Sequence, residues 1–220
     1  MIGQGNNANI YSLSIRIEVV KKIPTQERSR QTVEALIEAT ARTVAEMGWA
    51  QTTTNHIAER AGVSVGSLYQ YFENREELFA ALIEREIGAI TERLDEQIPL
   101  LLKVDAPTAI RAVLEVAFAY FESNERLFSE LANNWQATGT TAFVDAFEAY
   151  MLDAMRMFMA QNYADYEPID LNTLSFIMSN GTMFVLSRFI SRKPKGVTKE
   201  SLIAHVTALY SLYFESKARK

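Results

Sequence analysis

Residues 52–72, TTTNHIAERAGVSVGSLYQYF, crowd hydroxyls, carboxamides and phenols into one short stretch. None of them is a strong nucleophile or a natural metal ligand set. Their shared talent is hydrogen bonding to flat, polar edges. Gln70 can pair with the edge of an adenine, Ser67 can bond to a base or a phosphate, and Val65 can meet a thymine methyl. Gly66 lets a backbone come close. Tyr69 and Tyr71 each combine a ring with a hydroxyl that reaches phosphate or base. The chemistry open to this stretch is recognition of duplex nucleic acid; the other reading is a helical hairpin inside an ordinary bundle, with the tyrosines half-buried.

Bond-making chemistry finds little support elsewhere in the 220 residues. There is no cysteine, which excludes a thiol nucleophile, thiolate zinc and disulfides, and favours a reducing, cytoplasmic setting. Only His56 and His205 supply imidazoles. The pair His56-x-x-Glu59 has metal-like spacing, but no second carboxylate–histidine set completes a bundle site. No phosphate-cradling glycine loop or nucleophile elbow occurs. The expectation is a protein that is not an enzyme, with no catalytic residue, no metal and no cofactor.

The elements that position the polar stretch follow from its apolar residues. Gly62, four residues after Ala58, suits a helix ending in the left-handed cap that glycine adopts at little cost. Val63 then tucks inward, and Ser64 caps the next helix by accepting a backbone N–H. Leu68 and Phe72, four apart, form the single buried stripe of a second helix over 65–71. At about 100° per residue, Gly66, Ser67 and Gln70 point away from Leu68. Helix, tight turn, short helix is the helix-turn-helix pattern, and such a helix fits a B-DNA major groove.

The rest of the chain is helical too. Val33, Leu36, Ile37, Thr40, Val44 and Met47 recur at helical steps before Gly48. Asn74 and Glu77 form a capping-box pattern for a long helix that Pro99 lies beyond. Further helices fit 107–122, 124–136, 140–162, 170–191 and 199–216, making about nine in an all-α chain. The charge is split: 8 Lys/Arg against 7 Asp/Glu over residues 1–75, and 14 against 20 beyond. An acidic body on a near-neutral end is compatible with DNA binding through a local patch of donors. The division expected is an extension over 1–23, a three-helix DNA-binding domain over 24–75, and a larger helical domain over 76–220. The apolar run 171–187 is broken by polar residues and reads as a buried helix, not a membrane span.

PTQERSRQTVEALIEAT, then GW, then TTTNHIAERAGVSVGSLYQYFENREELF resembles the N-terminal domain of the TetR family of bacterial transcriptional repressors. The resemblance covers about residues 24–80 through a Thr-Thr pair, Ile-Ala, Ala-Gly-Val-Ser, Leu-Tyr and Tyr-Phe. It implies phosphate or base contacts from Thr53, Thr54 and Asn55, at a helix start that favours anions. It implies further contacts from the turn and second helix: Ser64, Val65, Gly66, Ser67, Tyr69, Gln70 and Tyr71. Arg75 takes the place of the family's phosphate-binding basic residue. Glu73 departs from the pattern, since relatives often carry lysine there.

Beyond residue 80 the resemblance implies architecture alone: a helical domain that holds an effector, and a homodimer built from the last two helices. The helix over 170–191 is apolar on nearly every side and must be covered all round. Ser175, Ser179 and Gly181 are small enough for a partner helix to approach, and Leu186, Leu202, Val206, Leu209 and Tyr213 complete the expected interface. For the effector, Phe118, Phe121, Phe128, Phe147 and Phe176 supply rings. Met151 and Met155 supply adaptable side chains, and Asn134 and Trp135 supply polar handles. The expected function is a repressor that grips a near-palindromic DNA operator as a homodimer and is released by a small apolar or amphipathic molecule. The alternative is an activator, or a regulator answering to a protein.

Overall fold

The computed structural model describes residues 27–134, 141–164 and 169–217; the side chains of 141–144 fall outside that description. The expected extension over 1–23 and Trp135 lie outside the described residues. Nine α-helices follow one another among the described residues: α1 (Glu27–Met47), α2 (Thr54–Ala61), α3 (Val65–Leu68), α4 (Arg75–Leu101), α5 (Ala106–Ser123), α6 (Glu125–Asn134), α7 (Thr141–Asn162), α8 (Leu171–Arg192) and α9 (Lys199–Lys217). The described part is all-α, as expected.

Local chemistry fixes the helix ends. Asn74 Oδ1 accepts the Glu77 N–H at 2.9 Å, while Glu77 reaches back to the Glu73 N–H at 2.6 Å. Both bonds satisfy donors that a helix start leaves unpaired. Asp105 and Asp170 accept from the N–H groups of Thr108 and Thr173 and so begin α5 and α8. These bonds, with those from the threonine hydroxyls, hold both carboxyls below the usual aspartate range.

Two expectations need correction. Pro99 lies inside α4, not past it. Its missing N–H removes a single helical bond so near the end that the helix runs on to Leu101. Met47 is 42 % exposed, because Gly48 turns the chain at φ 84° and gives the buried place to Trp49. The Trp49 ring sits 3.9 Å from that of Phe79.

The first core joins Leu36, Val44, Ile57, Leu68 and Phe72 to Leu78, Phe79 and Leu82 of α4 and Leu127 of α6. The helix that starts at Arg75 thus serves the first core with its opening turns. Its later residues, Ile90, Leu94 and Ile98, are buried among α5–α9. α6 is likewise shared: Leu127 belongs to the first core and Phe128 to the second.

Candidate nucleic-acid interface and the cavity behind it

The turn between α2 and α3 is built as its residues require. Thr53 caps α2 by accepting the His56 N–H at 3.3 Å. Gly62 adopts φ 68°, and the Val63 N–H returns to the Ala58 carbonyl at 3.0 Å. That closing bond is the Schellman solution to a helix end. Ser64 Oγ accepts the Ser67 N–H at 3.0 Å. Leu68 and Phe72 are fully buried.

The α-helical part of α3 covers Val65–Leu68 only, shorter than the expected 65–71. The chain continues through tighter turns, with the Gln70 N–H on the Ser67 carbonyl at 3.2 Å and the Tyr71 N–H on the Leu68 carbonyl at 3.0 Å. This keeps the polar residues on the outside. Gly66, Tyr69 and Gln70 are exposed, and Val65, Ser67 and Tyr71 are half-buried. Glycine is not demanded at 66 by the protein itself: its φ is not positive, and an added Cβ would meet nothing closer than Ser64 Oγ at 3.8 Å. The small residue leaves space on the outer side.

Several side chains are already occupied. Ser67 Oγ lies 2.8 Å from Ser64 Oγ, so its hydroxyl is shared within the turn. Tyr69 Oη meets Thr54 Oγ1 at 3.3 Å, which ties the exposed phenol to the start of α2. Asn55 is exposed beside them. Arg75 donates to the Thr52 carbonyl at 3.1 Å and to Glu76 at 3.3 Å, and its guanidinium lies 5.1 Å from the centre of the Phe79 ring. The side chain remains 32 % exposed, so it anchors α4 to the α2 entrance while keeping an outer edge. Glu73 is exposed.

Behind this surface α4–α9 enclose a cavity of about 1000 Å³. Its wall follows α4 from Ile83 to Leu102, a run of roughly 28 Å at the helical rise. Phe121, Phe128, Asn134, Phe147, Met151 and Met155, all candidates from the sequence, line it. Two other candidates lie elsewhere. Phe176 is 58 % exposed on the outside of α8, because the inward side of that turn belongs to Leu174 and Ser175. Phe118 packs with Leu114, Leu186 and Ile203 and borders a smaller cleft of about 310 Å³ beside Lys193.

The residues expected at a dimer face divide between the inside and the outside of the protomer. Ser175, Ser179 and Leu186 are buried within the protomer, and Ser179 and Leu186 line the cavity. Leu202 and Val206 pack on the Leu114–Phe118 cluster. Gly181 faces Tyr210, whose Oη would sit 3.4 Å from an added Cβ. Tyr213 is half-buried. The apolar residues of these two helices that are more than half exposed are Phe176, Ile177 and Phe184 on α8, and Leu209 and Leu212 on α9, and Phe184 also lines the cavity. An all-round apolar helix does not announce which side its own chain will cover, and of the expected set only Gly181 and Leu209 are exposed.

One polar network could not be read from spacing. Tyr120 Oη donates to Glu86 at 2.6 Å, and Arg85 grips the same carboxylate at 2.8 Å while reaching Glu38 of α1 at 3.0 Å. Burial first, then the adjoining carboxylate, pushes the Tyr120 phenol well above its ordinary pKa, so it stays a donor. Glu86 and Tyr120 line the cavity. The cavity wall is therefore wired to the first helix. Among the described residues no cluster of three metal-ligating side chains occurs, and no helix is long and apolar enough to cross a membrane.

Comparison with known proteins bears on both regions. The family model described as "Bacterial regulatory proteins, tetR family" matches residues 36–82, the segment holding α2, α3 and their supports. The fatty acid metabolism regulator protein of Bacillus subtilis is 36% identical over 63 residues, 29% of this chain and 32% of its own length. The transcriptional regulator TtgR of Pseudomonas putida is 37% identical over 82 residues, 34% of this chain and 39% of its own. The chain thus spans about a third of the length of the first relative and about two fifths of the second. In overall fold it is similar to the regulator FadR of Bacillus subtilis, solved with stearoyl-CoA. The TM-score is 0.66 at 19% identity, covering 81% of this chain and 97% of that one. These relatives are regulators, not enzymes.

Proposed function

We propose, from the membership of this chain in the tetR family of bacterial regulatory proteins, that it is a transcriptional repressor. It binds a near-palindromic operator as a homodimer and is released by a small amphipathic effector. The observation that carries this reading is the exposed Tyr69–Gln70 edge on a helix-turn-helix that shares α4 with a large apolar cavity. Residues 24–75 form the DNA-reading part, with Thr53, Thr54, Asn55, Ser64, Val65, Gly66, Ser67, Tyr69, Gln70 and Tyr71 toward the duplex and Arg75 toward phosphate.

The exposed apolar residues of α8 and α9 support a homodimer, since large apolar side chains left outside a protomer mark an interaction site. A two-fold dimer sets two recognition helices about 34–36 Å apart, or roughly ten base pairs. A ligand that changes this spacing weakens the complex. A hundredfold release needs a coupling of only about 2.7 kcal/mol. The fold-level likeness to a protein solved with stearoyl-CoA supports an effector with a long apolar chain.

Selection of operators from random duplexes tests the reading. The expected product is a near-palindrome with half-sites one helical turn apart, whose complex dissociates when a long-chain amphiphile is added. Recovery of no preferred sequence would sink it. In cells, deletion of the gene raises expression of its target under repression and lowers it under activation.

A further inference from the structure

Among the described residues, the charged side chains of the cavity wall stand toward one end. Its far end is closed by Ile98, Leu101, Ala106, Met155, Phe158 and Phe214. Its other end lies where the last turns of α8 meet α6, with Ile190 packed among Tyr120, Phe128 and Tyr150. There the wall carries Asn133, Asn134, Arg188 and Arg192. An asymmetric wall of this kind orients a ligand that is itself asymmetric.

The two arginines stand apart from the other cations of this region. Lys193 pairs with Glu125 at 2.5 Å and Lys199 with Glu122 at 2.6 Å. Among the described residues, neither Arg188 nor Arg192 has a hydrogen-bond or ion-pair partner. Arg192, in the last turn of α8, is partly explained by the negative end of the helix dipole. Arg188 sits a full turn earlier, where that field has faded. Four apart on one helix, both guanidiniums face the same way. Among the described residues the one carboxylate on the cavity wall is Glu86, which is already held by Arg85 and Tyr120 and does not satisfy them.

We propose that Arg188 and Arg192 form the head-group site of the effector cavity and select an anion joined to a long apolar chain, carboxylate or phosphate. The proposal rests on the cavity being the effector site. The chain lies along α4 toward Phe158 and Phe214, and the anion stays at the wet end, where two planar donors receive it. Burial of the methylenes contributes the same whatever the head, so the chain sets affinity and the arginines set which head is accepted.

Isothermal titration with four probes of one chain length tests this: dodecanoate, dodecyl phosphate, dodecanol and dodecyltrimethylammonium, each kept dilute enough to avoid micelles. The intact protein is expected to bind both anions at least about tenfold more tightly than dodecanol, with the cation weakest. Whichever anion binds more tightly identifies the head. In the double variant Arg188→Glu/Arg192→Glu the order reverses, while dodecanol changes by no more than about twofold. Arg188→Gln/Arg192→Gln, which adds no charge, levels the anions with the alcohol. Equal binding of anion and alcohol to the intact protein, or an order that survives both double variants, overturns the head-group site alone. Failure of all four probes to bind overturns the cavity reading beneath it as well.

Discussion

Glu130 Oε2 accepts the backbone N–H of Trp49 at 2.8 Å, across 81 positions of sequence. The bond fastens α6 to the loop after α1, next to the buried Trp49 ring. The same helix lines the cavity through Phe128, Leu131 and Asn134, so Glu130 links the two regions by a route separate from α4. Glu130→Ala leaves a donor without its charged acceptor and is expected to cost about 1–3 kcal/mol. Urea denaturation measures it; an unchanged midpoint means that water replaces the carboxylate.

Gln70→Ala and Tyr69→Ala act at exposed positions and leave the fold intact. Each is expected to weaken specific DNA binding by roughly 1–3 kcal/mol per lost contact. Gel-shift titration against the selected operator provides the check, and unaltered affinity for both variants would displace the recognition surface from this helix.

Arg75→Ala combines two losses. The Thr52 carbonyl loses its donor, and the duplex loses a phosphate contact. Binding to specific and random DNA is expected to fall alike, with the salt slope reduced by about one unit. A loss confined to the operator contradicts the phosphate role.

Leu209→Asp together with Leu212→Asp places two charges on the exposed face of α9. Light scattering is expected to find a monomer whose helix content is unchanged, because neither residue supports its own core. A dimer that withstands the pair lies on another face.

The capping carboxylates give stability a definite acid limb. Asp105 and Asp170 have folded pKa values below their ordinary 3.8. Their contribution is complete above that ordinary value and is lost as pH falls through the depressed folded values. Asp105→Asn and Asp170→Asn still cap a helix. Thermal melts from pH 2 to 5, a range of roughly one unit or more on either side of the aspartate reference, are expected to show a shallower acid decline for the double variant than for the parent. Parallel curves would mean that other carboxylates govern the limb.

The helix-turn-helix was legible because its signals are local. Gly62, Ser64, Leu68 and Asn74 each act within four residues, and the structure uses them as their chemistry dictates. The cavity was half legible: Phe121, Phe147 and Met155 follow from helical spacing, but periodicity in α8 offers no inside or outside when every side is apolar. Ser175 and Phe176, adjacent in sequence, fall on opposite sides for that reason. Long-range bonds such as Glu130–Trp49 and Tyr150–Asp95 depend on how helices cross, and single-chain spacing carries no record of that.

Because α4 is one unbroken rod of 27 residues, it cannot absorb a disturbance by bending at a joint. Its length is about 40 Å, so a tilt of about 5° around its middle carries either tip some 2 Å sideways. Hydrogen bonds tolerate only a few tenths of an ångström. A swing small enough for greasy side chains to accommodate by sliding is thus already ruinous for polar fingers laid on a base pair.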